Sequence, residues 1–69
     1  MFYFFEKGSA YVRCEIQAAL AGAWEIVVTE PNGDVRTEQF ATSKQAEQRW
    51  EELQRSFSGD GWVGPFGRE

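Results

Sequence analysis

The strongest constraint on this chain is a change of hydrophobic period after its first forty residues. Upstream, apolar side chains recur at every second position: Val12, Cys14 and Ile16, then Trp24, Ile26 and Val28. That is the mark of half-buried strands. Downstream, Ala46, Trp50, Leu53 and Phe57 stand at i, i+4, i+7 and i+11, one stripe of a 3.6-period helix. A helix with a single apolar stripe needs an apolar surface beneath it, and the strands supply one. The pattern predicts an α+β fold (ββββα): a four-stranded antiparallel β-meander with one C-terminal α-helix packed across one face. The strands are expected over 2–6, 11–17, 24–30 and 35–40, the helix over 43–58 and an aromatic, Gly-rich tail over 59–69, all in a single domain, 1–69.

Local signals set the registers. Gly8-Ser9 suits a two-residue type II′ turn, which pairs Phe5 with Val12 and Tyr3 with Cys14. Tyr3 and Phe5 then join the core face, and Phe2, Phe4 and Tyr11 point away from it. An odd loop would exchange the two sets. Asn32-Gly33 reads as a type I′ turn, because both residues tolerate φ > 0. An even loop there sets Val35, Thr37 and Gln39 beside Ile26 and Val28. It leaves Phe40 on the opposite face unless a bulge turns it inward. Thr42 with Gln45 three residues on is a capping-box pattern, with Ser43 as the competing cap. Gly59 is the expected left-handed residue ending the helix. Trp62 and Phe66 are unusual in a disordered tail, so Trp62 is expected to dock back while the last few residues fray.

Composition narrows the chemistry. At 69 residues the chain has one core, and its large side chains are six Phe, three Trp and two Tyr. It has no His and one Cys. That excludes a disulfide framework within the chain and the usual Cys/His zinc sites, and it removes the commonest general base. The longest apolar runs, Phe2 to Phe5 and Ala18 to Ala21, are too short to span a membrane. No export signal is expected, and a lone Cys fits the cytoplasm.

Each candidate for chemistry has a plainer reading. Glu47, Glu51 and Glu52 lie beside Lys44, Arg49 and Arg55 and read as a solvated helix face. No acidic cluster has calcium-loop spacing. Cys14, between inward-facing Val12 and Ile16, reads as a small buried hydrophobe rather than a nucleophile. Gly59, Gly61 and Gly64 follow a helix and precede none, so they are turn and cap residues rather than a phosphate loop. No catalytic residue, cofactor site or metal site is expected, and the chain reads as a non-enzyme.

The aromatics exceed what a core needs. Phe2, Phe4, Tyr11 and Val27, with Trp62 from the tail, form the expected interaction surface. A second copy or another protein is the expected partner. Aromatic sheet faces also stack single-stranded bases. A net charge of −4, with Glu15, Glu25 and Glu38 alternating with Arg13 and Arg36, argues against that alternative.

Trp24 to Glu30, Val35 to Phe40, Arg49-Trp50-Glu51-Glu52-Leu53 and Gly61-Trp62-Val63-Gly64-Pro65 together resemble a group of short uncharacterised bacterial proteins that close on Gly-Trp-x-Gly-Pro. The resemblance covers about residues 24–65. It implies a bacterial source and an ordered Trp62 tail, and it implies no activity.

Overall fold

The computed structural model describes residues 2–68. The strands are β1 (Phe2–Lys7), β2 (Ala10–Ala18), β3 (Trp24–Thr29), β4 (Val35–Phe40) and β5 (Val63–Arg68), with one helix, α1 (Ser43–Gly59). They make an antiparallel sheet of order β4-β3-β2-β1-β5. The sheet therefore has five strands, not the four expected. The first four form the meander, and the segment expected to be a tail is the fifth strand, pairing with β1. Glu69, the end of the tail expected to fray, lies outside the described residues.

The first hairpin follows its turn chemistry. Gly8 has φ +61 and Ser9 is not in the positive-φ region, which fits a type II′ turn. Phe5 pairs with Val12 and Tyr3 with Cys14. Between β2 and β3, a single 3₁₀ turn at Leu20–Gly22 is closed by Ala19 N–H donating to Ala23 O at 2.8 Å.

The second hairpin departs from expectation. Gly33 N–H donates to Glu30 O at 2.9 Å, Glu30 N–H donates to Asp34 O at 2.8 Å, and Gly33 has φ +92. This is a three-residue loop: a turn over Pro31-Asn32 followed by a positive-φ glycine. Pro31 favours it, because its fixed φ suits the first central position of a type I turn. The odd loop reverses the faces of β4. Phe40 pairs with Trp24 and joins the core face without a bulge, and Arg36 and Glu38 lie opposite Val28 and Ile26. Two charged residues are tolerated on that face because β4 is an edge strand. Glu38 is held there by Arg49 of α1, whose Nε donates to Oε1 at 2.9 Å.

Both ends of α1 are capped by side chains or glycine. The Gln45 N–H donates to Thr42 Oγ1 at 3.2 Å, and Gln45 Oε1 accepts from the Ala41 N–H at 3.0 Å. Thr42 is the N-cap, and Gln45 reaches one residue further back than a capping box requires. At the other end the helix runs through Gly59, and Gly61, with φ +88, is the left-handed residue. Trp62 N–H donates to Phe57 O at 3.0 Å and Gly61 N–H to Ser58 O at 3.1 Å. That is a Schellman motif, and its usual apolar contact is Phe57 against Trp62, ring centroids 6.3 Å apart. The cap turns the chain back toward β1 and so delivers β5.

Ala46, Trp50 and Leu53 of α1 are buried, with Phe5, Val12, Cys14, Ile26 and Val28 of the sheet. Tyr3, Ile16, Phe40, Phe57 and Trp62 pack around them. Trp50 is central: it stacks on Tyr3 at 4.9 Å between ring centroids and meets the edge of Phe5 at 5.9 Å.

Two outcomes test this architecture. Trp50→Ala should cost roughly 3–5 kcal/mol of unfolding free energy by denaturant titration; a loss below about 1 kcal/mol would place Trp50 outside the core. Gly64 has φ +147, and a Cβ there would meet Phe4 O at 2.7 Å and Phe5 Cδ1 at 3.0 Å. Gly64→Ala should therefore cost about 1–3 kcal/mol. It should also strip hydrogen-exchange protection from β5 before the meander loses its own.

Candidate functional site

A β-strand sends alternate side chains to opposite faces, so the sheet registers fix what the helix does not cover. Away from α1 lie Phe2, Phe4 and Glu6 of β1, Tyr11, Arg13, Glu15 and Gln17 of β2, and Glu25 and Val27 of β3. From the edges, β4 adds Val35, and β5 adds Phe66 opposite Phe4 and Val63 opposite Glu6. Of the five residues expected to form an interaction surface, the structure brings Phe2, Phe4, Tyr11 and Val27 together. Trp62 is elsewhere: it packs on Phe57 on the helix side, with Lys7 Nζ 5.8 Å from its ring centroid. Lys7 Nζ also donates to Asp60 O at 2.6 Å, which fixes this corner of the fold.

Phe66, Val63 and Val35 were not expected on this face. The alternation of Val63, Pro65 and Phe66 is broken by glycines and by a register irregularity between Phe4 and Glu6, so β5 has no period-2 signature. Val35 reaches this face because the loop before it has three residues rather than two. All three are substantially exposed, Phe66 by 45%, Val63 by 58% and Val35 by 60%, as is Tyr11 by 55%. These are large apolar side chains on one side of a very small molecule. Tyr11, Val63 and Phe66 gather around Phe4 and Glu6, whereas Val35 stands apart across Thr29 and Arg13; apolar patches of the first kind mark interaction sites.

A groove on this face runs over β1, lined by Phe4, Glu6, Tyr11, Pro65, Phe66 and Gly67. Phe2 and Phe4 meet edge to face at 5.3 Å, and the Arg13 guanidinium lies 4.3 Å above the Phe2 ring. On the far side of the face, Gln17 Nε2 donates to Glu25 Oε1 at 2.5 Å. The groove is thus mainly aromatic, with one carboxylate and a stacked cation nearby.

The remaining candidates are placed differently. Cys14 is fully buried between Tyr3 and Val28 in the sheet register. Burial pushes its thiol up to about 12, with Arg36 opposing and Glu30 adding to the shift. A thiol held protonated in this way is a poor nucleophile at neutral pH. Glu47, Glu51 and Glu52 are exposed on α1, and Glu52 accepts from Arg49 Nη1 at 3.3 Å. Among the described residues no three Cys, Asp or Glu side chains gather as a metal site, and no helix is long and apolar enough to cross a membrane.

Comparison with known proteins gives no family model, no curated relative and no solved structure that matches this chain.

The Cys14 environment has a measurable consequence. Its thiol ionises more readily in the unfolded chain than in the folded one, so the folded state binds the extra proton above about pH 8.5. Stability contributed by Cys14 is complete below that pH and is lost as pH rises toward 12. Urea midpoints should fall between pH 8 and pH 10.5 in the native sequence and fall less in Cys14→Val. At pH 8 the native thiol should react with an aromatic disulfide reagent only as fast as the protein opens. Rapid stoichiometric labelling would contradict the burial.

Proposed function

We propose that this chain is a small non-enzymatic interaction module that self-associates through the sheet face opposite its helix. One observation carries this reading. The side not covered by α1 holds Phe2, Phe4, Tyr11, Val27, Val63 and Phe66 together on one surface. A small domain gains little by exposing Tyr11, Val63 and Phe66 beside half-buried Phe2 and Phe4 to water, at about 25 cal/mol for each Å². With Trp62 engaged on Phe57, the tail is not the cover for this face. A second copy of the same sheet offers a matching aromatic surface and satisfies two-fold symmetry. The reading needs no catalytic residue, cofactor or metal.

A single-strand nucleic-acid platform is the alternative, favoured by the same aromatic sheet face. Glu6, Glu15 and Glu25 share that face with Arg13, and they repel a phosphate backbone.

Light scattering over a concentration series distinguishes these readings. The expected mass rises from 7.9 kDa toward twice that value as concentration increases. Tyr11→Ser, an exposed position, should shift the rise to higher concentration without altering the helical circular dichroism. A mass that stays monomeric throughout sinks self-association. Oligonucleotide binding in the micromolar range that weakens steeply with salt would establish the alternative instead.

A further inference from the structure

Among the described side chains, Glu6, Arg13, Glu15 and Glu25 stand on the outer face with no ion pair, and Glu6 and Arg13 are the two that flank Phe4 and Tyr11. The ion pairs among the described residues are Arg36–Glu30, Arg49–Glu38 and Arg49–Glu52, all around β4 and α1. Glu6 is half-buried, lines the aromatic groove and has no salt bridge among them. Arg13 is exposed and engages the Phe2 ring alone. The other carboxylates of this face are Glu15, opposite Phe2, and Glu25, which accepts from Gln17.

The strand register gives these two charges a specific geometry. Phe4 stands opposite Arg13, and Glu6 stands opposite Tyr11. The four residues are the corners of a rectangle about 6.8 Å along the strands and about 4.8 Å across them. Glu6 and Arg13 occupy one diagonal, and Phe4 and Tyr11 the other. Two sheets that meet face to face by two-fold symmetry have their axis in the plane between them. An axis bisecting the Glu6–Arg13 diagonal runs close to the Phe4–Tyr11 diagonal. It exchanges the two charges and brings each aromatic ring near its own copy.

We propose that a second copy docks on this face about that axis, with Arg13 of each copy reaching Glu6 of the other. This rests on the self-association reading and names the contacts that set its register. The Phe2 ring holds the guanidinium on this face, and a guanidinium pairs with a carboxylate through its planar fork of N–H donors. The partner's guanidinium enters the aromatic groove where Glu6 stands, so both charges are paired as the rings around them lose water. The strands of the two sheets cross at roughly 70°, near the orthogonal class of sheet packing. Arg13 and Glu6 recur twice by symmetry, so two ion pairs form per dimer.

Charge reversal tests this directly, because one exchange in the sequence acts in both copies. Dimer dissociation constants would be measured by sedimentation equilibrium for the native protein, Glu6→Arg, Arg13→Glu, the double variant and Glu47→Arg. The last makes the same change of net charge as Glu6→Arg on an exposed part of α1. Thermal melts of each confirm folding. Each single reversal at Glu6 or Arg13 should weaken the dimer by roughly tenfold or more, and the double variant should return to within about threefold of native. Glu47→Arg should change little. A double variant as weak as the singles overturns the reciprocal pairing, as does equal weakening by Glu47→Arg. A native dimer indifferent to every reversal overturns this inference and leaves self-association standing. A native protein monomeric at all concentrations overturns both.

Discussion

A connected run of aromatic rings holds the helix to the sheet, and most of the fold depends on it. Trp50 stacks on Tyr3 and meets Phe5, Phe5 packs on Phe57 at 4.7 Å, and Phe57 meets Trp62. The run begins on β1, passes twice through α1 and ends at Trp62, the residue just before β5. Each such contact adds about 0.5–1.5 kcal/mol beyond the area it buries. For a chain too short to build a deep aliphatic core, a few large rings do what many smaller side chains would do elsewhere. They also explain the fifth strand. Once Trp62 is fixed against Phe57 by the helix cap, the next residues have only the free edge of β1 to follow.

Elements with a clear period were legible in the sequence, and those whose course depends on glycine or proline were not. The stripe of Ala46, Trp50, Leu53 and Phe57 located α1 to within a residue at its C-terminal end. Gly8-Ser9 set the first register correctly, because a two-residue turn leaves no freedom. Asn32-Gly33 misled, because Pro31 before it extends the loop to three residues and so turns Phe40 inward. At the helix end, Gly59 and Gly61 compete for the left-handed position, and only the contact of Trp62 with Phe57 favours Gly61. β5 was invisible for a related reason. Three of its six residues are Gly64, Pro65 and Gly67, which are depleted in strands and carry no alternation. Within the outer face, Tyr11 and Val27 followed from period, and Phe2 and Phe4 from the even Gly8-Ser9 turn. Val63 and Phe66 required a strand that the sequence hides, and Val35 required the correct loop.

The two edges of the sheet are protected in different ways. β5 carries a proline, glycines and a register irregularity against β1, which discourage a further strand from pairing. β4 is regular, and its pairing with β3 shows no shift. Its defence is charge: Arg36 and Glu38 occupy inward positions on the edge, paired with Glu30 and Arg49. Inward-pointing charges at an edge are a recognised barrier to edge-to-edge growth. Both edges thus oppose extension of the sheet in its own plane.

That distribution leaves the outer face as the direction in which this molecule is least defended. Around β4 and α1, Arg36 and Arg49 pair with Glu30, Glu38 and Glu52 within one chain, whereas Glu6 and Arg13 stand on opposite corners of an aromatic patch. Protecting a protein from the wrong contact and preparing it for the right one use the same chemistry, since an unpaired charge on an apolar surface penalises every partner that fails to neutralise it. An aromatic face alone would adhere to many surfaces. A carboxylate and a guanidinium set into it at fixed spacing require a partner with the reverse arrangement, and a two-fold rotated copy of the same face carries that arrangement.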